Sequence, residues 1–202
     1  MEDFLRNDFT THYALPVCTV ANLTLVTDEP YFEIEDTKGE IALHTTVGQG
    51  TARFSNLANL TMTIVNYDKF VTSLPSDFRL GKKRCDIIVT CDADRYFVLG
   101  EIKNSHKIKR RGAKAQEQLL ESLTALVAVP QISALIHGKA IKRCCYFNKQ
   151  SSSSPAPINA VAAFNRLAGT VSSGLKMTHS GIEGLNFEYW EYLGGQTLTL
   201  TR

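Results

Sequence analysis

No stretch of this sequence approaches the roughly 20 apolar residues that a membrane-spanning helix needs. The opening Met1-Glu2-Asp3-Phe4 is acidic, with no basic region leading into an apolar run, so it does not read as a secretory signal. Cysteine is sparse and odd in number: Cys18, Cys85, Cys91, Cys144 and Cys145. That excludes a regular disulfide framework and leads to the expectation of reduced, buried thiols in a cytoplasmic protein. No Cys-x-x-Cys or Cys/His spacing suggests zinc. Charge of one sign is lacking too. The formal net charge is +2, so the total says nothing about partners.

Hydrophobic residues make up 44% and charged residues 21% of the 202 positions, close to the soluble globular average. A single domain over 1–202 with a sizeable core is expected. No internal repeat is visible.

The first fifty residues are β-rich. Val20 to Val26 is dense in strand formers, and Tyr31 to Ile34 with Glu40 to Val47 predicts a hairpin around Thr37-Lys38-Gly39. Leu57, Leu60, Ile64, Tyr67, Val71 and Leu74 recur at steps of three or four, which predicts a helix capped by Ser55 or Asn56 and ended by Pro75. Asp86 to Thr90 and Tyr96 to Lys103 read as two strands joined near Asp92-Ala93-Asp94-Arg95. A helix is expected from about Gly112 to Val127, followed by a strand from Ala140 to Phe147. The run from Ser151 to Pro157 reads as a loop, Asn159 to Leu167 as a helix, and Phe187 to Leu193 as a strand.

The chemistry lies in the middle pair of strands. Alternation puts Phe97, Leu99, Glu101 and Lys103 on one face. With Ala93 and Asp94 at the centre of the turn, Asp92 pairs with Arg95, and counting down the ladder sets Asp86 opposite Glu101. Cross-strand partners have Cβ atoms roughly 5 Å apart, so two carboxylates would sit side by side with the Lys103 ammonium one step diagonal. Such a pair repels unless a cation lies between. Mg²⁺, or Mn²⁺ in its place, prefers oxygen ligands and can lower the pKa of a bound water. Two carboxylates and an ammonium suit phosphodiester hydrolysis. The plain alternative is a surface salt-bridge ladder, but these charges interrupt a face that also carries Phe97 and Leu99.

The segments Arg84-Cys85-Asp86-Ile87-Ile88-Val89 and Val98-Leu99-Gly100-Glu101-Ile102-Lys103, with the helix beginning Ala113-Lys114-Ala115-Gln116-Glu117-Gln118, resemble the PD-(D/E)XK nuclease superfamily. The resemblance covers about residues 55–147, flanked by a β-rich region 1–54 and an extension 148–202. It implies an α/β fold with a mixed central β-sheet flanked by helices, of restriction-endonuclease-like architecture. It further implies that Asp86 and Glu101 bind metal, that Lys103 is the catalytic lysine, and that Gln118, or else Gln116, approaches the site from the helix. A further acidic ligand is expected on the preceding helix. Asp68 leads, with Glu33, Glu35 and Glu40 upstream. No proline precedes Asp86, and the span from Pro75 to Asp86 is short for the extra strand the family usually has.

Local charge fits a polyanion. Arg79, Lys82, Lys83, Arg84, Arg95, Lys103, Lys107, Lys109, Arg110, Arg111 and Lys114 hold 11 of the 22 basic residues. Of these, Lys82, Lys83, Arg84, Lys107, Lys109, Arg110, Arg111 and Lys114 are the expected nucleic-acid contacts. DNA is favoured by the resemblance, and a homodimer would suit paired cuts. The alternative is an inactive module of the same fold that binds nucleic acid or a partner protein. His106, Tyr189, Trp190 and Tyr192 are better read as loop and packing residues than as ligands of a base or phosphate.

Overall fold

A computed structural model describes residues 1–91, 93–105, 108–150 and 173–201, without the side chains of 108–111. The expected loop at 151–157 and helix at 159–167 lie outside the described residues.

Two sheets and one layer of helices make up the described fold. The chain opens with a helical segment, Phe4–Phe9 with a π-helical turn running on through Thr10–His12 (α1). Strands β1 (Thr24–Thr27), β2 (Tyr31–Thr37), β3 (Glu40–His44), β4 (Ala52–Ser55) and β5 (Met62–Asn66) follow. Helices α2 (Tyr67–Ser73) and α3 (Ser76–Arg79) lead to β6 (Ile87–Cys91) and β7 (Tyr96–Lys103). Then come α4 (Ile108–Val127), α5 (Pro130–His137), β8 (Ile141–Asn148), β9 (Leu175–Met177), α6 (Ser180–Glu183), β10 (Glu188–Leu193) and β11 (Thr197–Thr199).

The larger sheet has the order β1-β5-β6-β7-β8-β10-β9, and the smaller has β11-β4-β2-β3. Within the larger, β5, β6 and β7 run antiparallel, while β7, β8 and β10 run parallel. The mixed sheet follows from the connections. A short turn joins β6 to β7, whereas β7 reaches β8 through α4 and α5, a crossover long enough to restore strand direction.

The strands of the larger sheet alternate between two apolar layers. Ile88, Phe97, Leu99 and Cys144 pack with Leu119, Leu123 and Leu126 of α4. Ile87, Val89, Val98 and Phe147 pack with Phe32, Ile34 and Phe54 of the smaller sheet. Burial on both faces explains why these strands read as continuous apolar runs.

The expected hairpin of β2 and β3 forms, with Thr37 paired to Glu40. Lys38 and Gly39 adopt positive φ, as a tight two-residue turn requires. The helix expected from Leu57 to Leu74 is corrected: its first half is strand β5, and only Tyr67–Ser73 is helical. Met62, Ile64 and Val65 are buried on opposite faces, which the β-branched run favours and a one-sided helix cannot satisfy. The cap moves with the boundary. Asn66, rather than Ser55 or Asn56, accepts the Lys69 N–H on its side chain at 2.9 Å. Asn56 instead closes a loop, its Oδ1 accepting from Leu60 N at 3.0 Å. Strand β5 precedes α2, and between Pro75 and Asp86 the chain holds only the short helix α3.

Pro130 does more than follow the end of α4. It sits in the first turn of α5, where its missing N–H has no helical role to fill. All five cysteines are buried and unpaired. Cys91 lies in the layer between the sheets, but Cys85 packs on the helix side, because the chain before Ile87 is not yet regular strand.

Candidate active site

The site is built at one end of the β6–β7 pair. The ladder runs from Thr90↔Phe97 to Ile87↔Gly100. One step further, Asp86 comes opposite Glu101, and the Asp86 N–H donates to the Gly100 carbonyl at 3.0 Å. This is the register counted from the turn. The parity of Ile88 and Leu99 puts Asp86, Glu101 and Lys103 on the face covered by α4.

The three side chains converge. The Lys103 ammonium lies 3.4 Å from Asp86 Oδ2 and in close contact with Glu101 Oε1. Asp86 Oδ2 also accepts the Ile102 N–H at 2.6 Å. Glu101 has 0% exposure, and among the described residues its Oε2 has no hydrogen-bond partner. Its Oε1 meets only the Lys103 charge, without hydrogen-bonding geometry. Buried carboxylate oxygens are rarely left in that state.

Burial sets the electrostatics. It pushes the Asp86 carboxyl up to about 6, against the pull of Lys103 and the Ile102 N–H, with the Asp36 and Asp68 charges adding to the rise. Burial and then the Asp86 charge push Glu101 up to about 8, again opposed by Lys103. Burial works against the Lys103 ammonium, but Asp86 and Glu101 outweigh it and raise its pKa. Four carboxylates, Asp36, Asp68, Asp86 and Glu101, thus act on one another. Among the described residues, the cations that meet them are Lys103 and Arg84, the latter ion-paired to Asp68.

Asp68 stands in the first turn of α2, and Arg84 holds its carboxylate. It reaches the pair through charge. Among the described residues no three His, Cys, Asp or Glu side chains converge as a metal-holding group. Mg²⁺ does not need three, since it commonly takes one or two carboxylates and completes its shell with water and phosphate oxygens. Asp86 and Glu101 fit that pattern: the pair is already bridged by a cation, the Lys103 ammonium, and Glu101 Oε2 is unsatisfied.

The upstream acids do other work. Glu33 takes the Gly48 and Gly50 N–H groups and pairs with Arg53. Glu35 accepts from the Thr51 hydroxyl, and Glu40 pairs with Lys69. Asp36 went unnoticed in the sequence. The β2–β3 hairpin docks on α2, where the Asn66 side chain donates to the Gly39 carbonyl at 2.8 Å. That contact brings Asp36 within electrostatic reach of Asp86 and Lys103.

Helix α4 fixes the approach to Asp86. Gln118 Nε2 donates to the Arg84 carbonyl and Ser122 Oγ accepts the Cys85 N–H, both at 2.8 Å. Gln118 thus braces the strand entrance, while Gln116 interacts with Tyr189. Of the expected nucleic-acid contacts, Lys82 lies over the Phe78 ring at 3.6 Å, Lys83 pairs with Glu117 and Arg84 with Asp68. Lys114 is exposed. Lys107 and His106, and the side chains of Lys109, Arg110 and Arg111, lie outside the described residues. Arg95 is at the opposite end of the hairpin and donates to the Thr201 carbonyl. Tyr189 and Tyr192 are core residues, and Trp190 stacks under Arg143 at 4.5 Å.

No family model, no curated protein and no solved structure matches the chain.

Proposed function

We propose that this protein is a metal-dependent nuclease that hydrolyses phosphodiester bonds, with DNA as the favoured substrate. One observation carries the reading: two largely buried carboxylates oppose each other across β6 and β7, bridged by one ammonium. The resemblance of these segments to the PD-(D/E)XK superfamily supplies the reaction class and the preference for DNA. Asp86 and Glu101 would hold Mg²⁺ or Mn²⁺, which when bound supplies an acidified water and charge stabilisation at phosphate. The Ile102 N–H keeps Asp86 oriented. With a divalent cation on the carboxylates, Lys103 would be freed of part of its pairing and would orient the attacking water and neutralise charge growing on the phosphate. Gln118 and Ser122 keep the entrance to the strand rigid.

The test is calorimetric titration with Mg²⁺ and Mn²⁺, alongside cleavage of single- and double-stranded DNA and RNA. Expected are divalent binding that Asp86→Ala removes and cleavage that Lys103→Ala removes. Wild-type protein that binds neither ion refutes the proposal.

A second reading draws on the same contacts. Lys103 partly neutralises the pair by itself, as an inactive module of this fold would require. Such a module would bind nucleic acid or a partner without divalent cations, and the same titration separates the two.

A further inference from the structure

The carboxylate pair belongs to a longer polar row. Strand register sets Asp86 against Glu101, Glu101 against Tyr146, and Tyr146 against Glu191. The row crosses β6, β7, β8 and β10 on the side covered by α4, where Tyr146 and Tyr189 join the helix-side core. Gly112, in the second turn of α4, lies over its far end, next to both Glu191 and Tyr146.

Tyr146 is fully buried, and among the described residues its hydroxyl has no hydrogen-bond partner. Its other neighbours are engaged. Glu191 accepts the Tyr189 hydroxyl at 2.8 Å. The Asn148 amide donates to the Ser105 carbonyl and accepts from the Ser105 and Gln150 N–H groups. Burial and the Glu191 charge push the phenol up to about 12, against the Lys103 charge and then Asn148, but no hydrogen bond of good geometry forms between Asn148 and the phenol. Among the described residues, what remains is Glu101, the register partner on β7, with its own unpartnered Oε2. An orphaned hydroxyl and an orphaned carboxylate oxygen on register partners of neighbouring strands, both buried, mark a place where a further species can complete the bonding.

We propose that Tyr146 is a positioning residue for Glu101. Its hydroxyl donates to the Glu101 carboxylate, directly or through one water, when a divalent cation draws that carboxylate away from Lys103. The inference rests on the metal-binding reading above. Carboxylates that ligate metals are themselves held by hydrogen bonds, and loss of such a partner typically weakens metal affinity by about 10- to 100-fold.

The experiment compares wild type, Glu101→Ala and Tyr146→Phe by Mn²⁺ calorimetry and by thermal melting in EDTA. Tyr146→Phe keeps the ring and removes only an unpartnered hydroxyl, so its EDTA melt should equal or exceed that of wild type. Its Mn²⁺ affinity should fall about 10- to 100-fold, and Glu101→Ala should bind no Mn²⁺. A purely structural tyrosine would lower the melt and leave affinity alone. Unchanged affinity in Tyr146→Phe, while Glu101→Ala abolishes binding, overturns this inference and leaves the metal site standing. Failure of Tyr146→Phe to fold overturns it as well. Absence of Mn²⁺ binding in wild type removes the metal reading and this inference with it.

Discussion

Gly100 faces Ile87 so closely across the β6–β7 ladder that a Cβ at residue 100 would stand 2.7 Å from Ile87 Cγ1. Backbone there approaches side chain because the layer between the sheets is filled by Ile87 and Phe147. Gly100 immediately precedes Glu101, and its carbonyl receives the Asp86 N–H. Gly100→Ala should therefore overpack the ladder, costing about 1–3 kcal/mol. Urea unfolding should show a lower midpoint with unchanged slope, and Mn²⁺ affinity should fall with it. A variant as stable as wild type would contradict this account of the close approach.

The pH dependence of stability has a definite sign. Glu101 is raised in the folded state to about 8 from an ordinary 4.5. Its contribution is then fully present below about pH 4.5 and is lost as pH rises through 8. Asp86, raised to about 6, acts in the same direction at lower pH. Glu101→Gln removes the penalty on the charged form. Its melting temperature in EDTA should match wild type near pH 4 and exceed it at pH 8.5. Parallel curves across that range would show that Glu101 titrates normally.

Lys103→Ala separates two roles of one ammonium. It leaves the opposed carboxylates without their bridging cation, so melting in EDTA should fall. Added Mg²⁺ should restore much of the loss, because the ion replaces the missing charge. Divalent affinity should hold or improve, while cleavage should fall by about 10²–10⁴-fold, the range of a lost acid–base or charge-stabilising group. Residual cleavage equal to wild type would free Lys103 from any part in the reaction.

Asn66 joins two jobs. Its Oδ1 caps α2 through the Lys69 N–H, and its Nδ2 holds the Gly39 carbonyl of the β2–β3 turn. Asn66→Ala should cost about 1 kcal/mol for the lost cap alone. Because that turn brings Asp36 toward the site, the variant should also weaken Mn²⁺ binding. Asn66→Asp keeps the cap but not the donor, so it should recover stability without recovering affinity. Full recovery of both would separate the hairpin from the site.

What was legible in the sequence was whatever short-range rules decide. The turn after Cys91 fixes a count, the count fixes register, and alternation then sets Asp86 and Glu101 on one side. Lys38-Gly39 announced its hairpin because positive φ suits few residues. The segment from Leu57 to Leu74 misled because a three-and-four spacing arose by chance across a loop, a strand and a helix. The β-branched run in β5 outweighed it once both faces found partners. Asp36 and Tyr146 were beyond reach for another reason. Their relevance depends on which strands become neighbours and on one side-chain contact spanning 27 residues.

The order of the larger sheet carries a last consequence. Strand β7 is fourth of seven, with three strands on either side. Fraying starts at sheet margins, so opening would have to pass through those neighbours before freeing Leu99 to Ile102. Their amides should be among the slowest in the chain to exchange with deuterium. Any rearrangement that admits a bulky polymer to Glu101 must then come from the helical cover, with the strands acting as an unmoving floor.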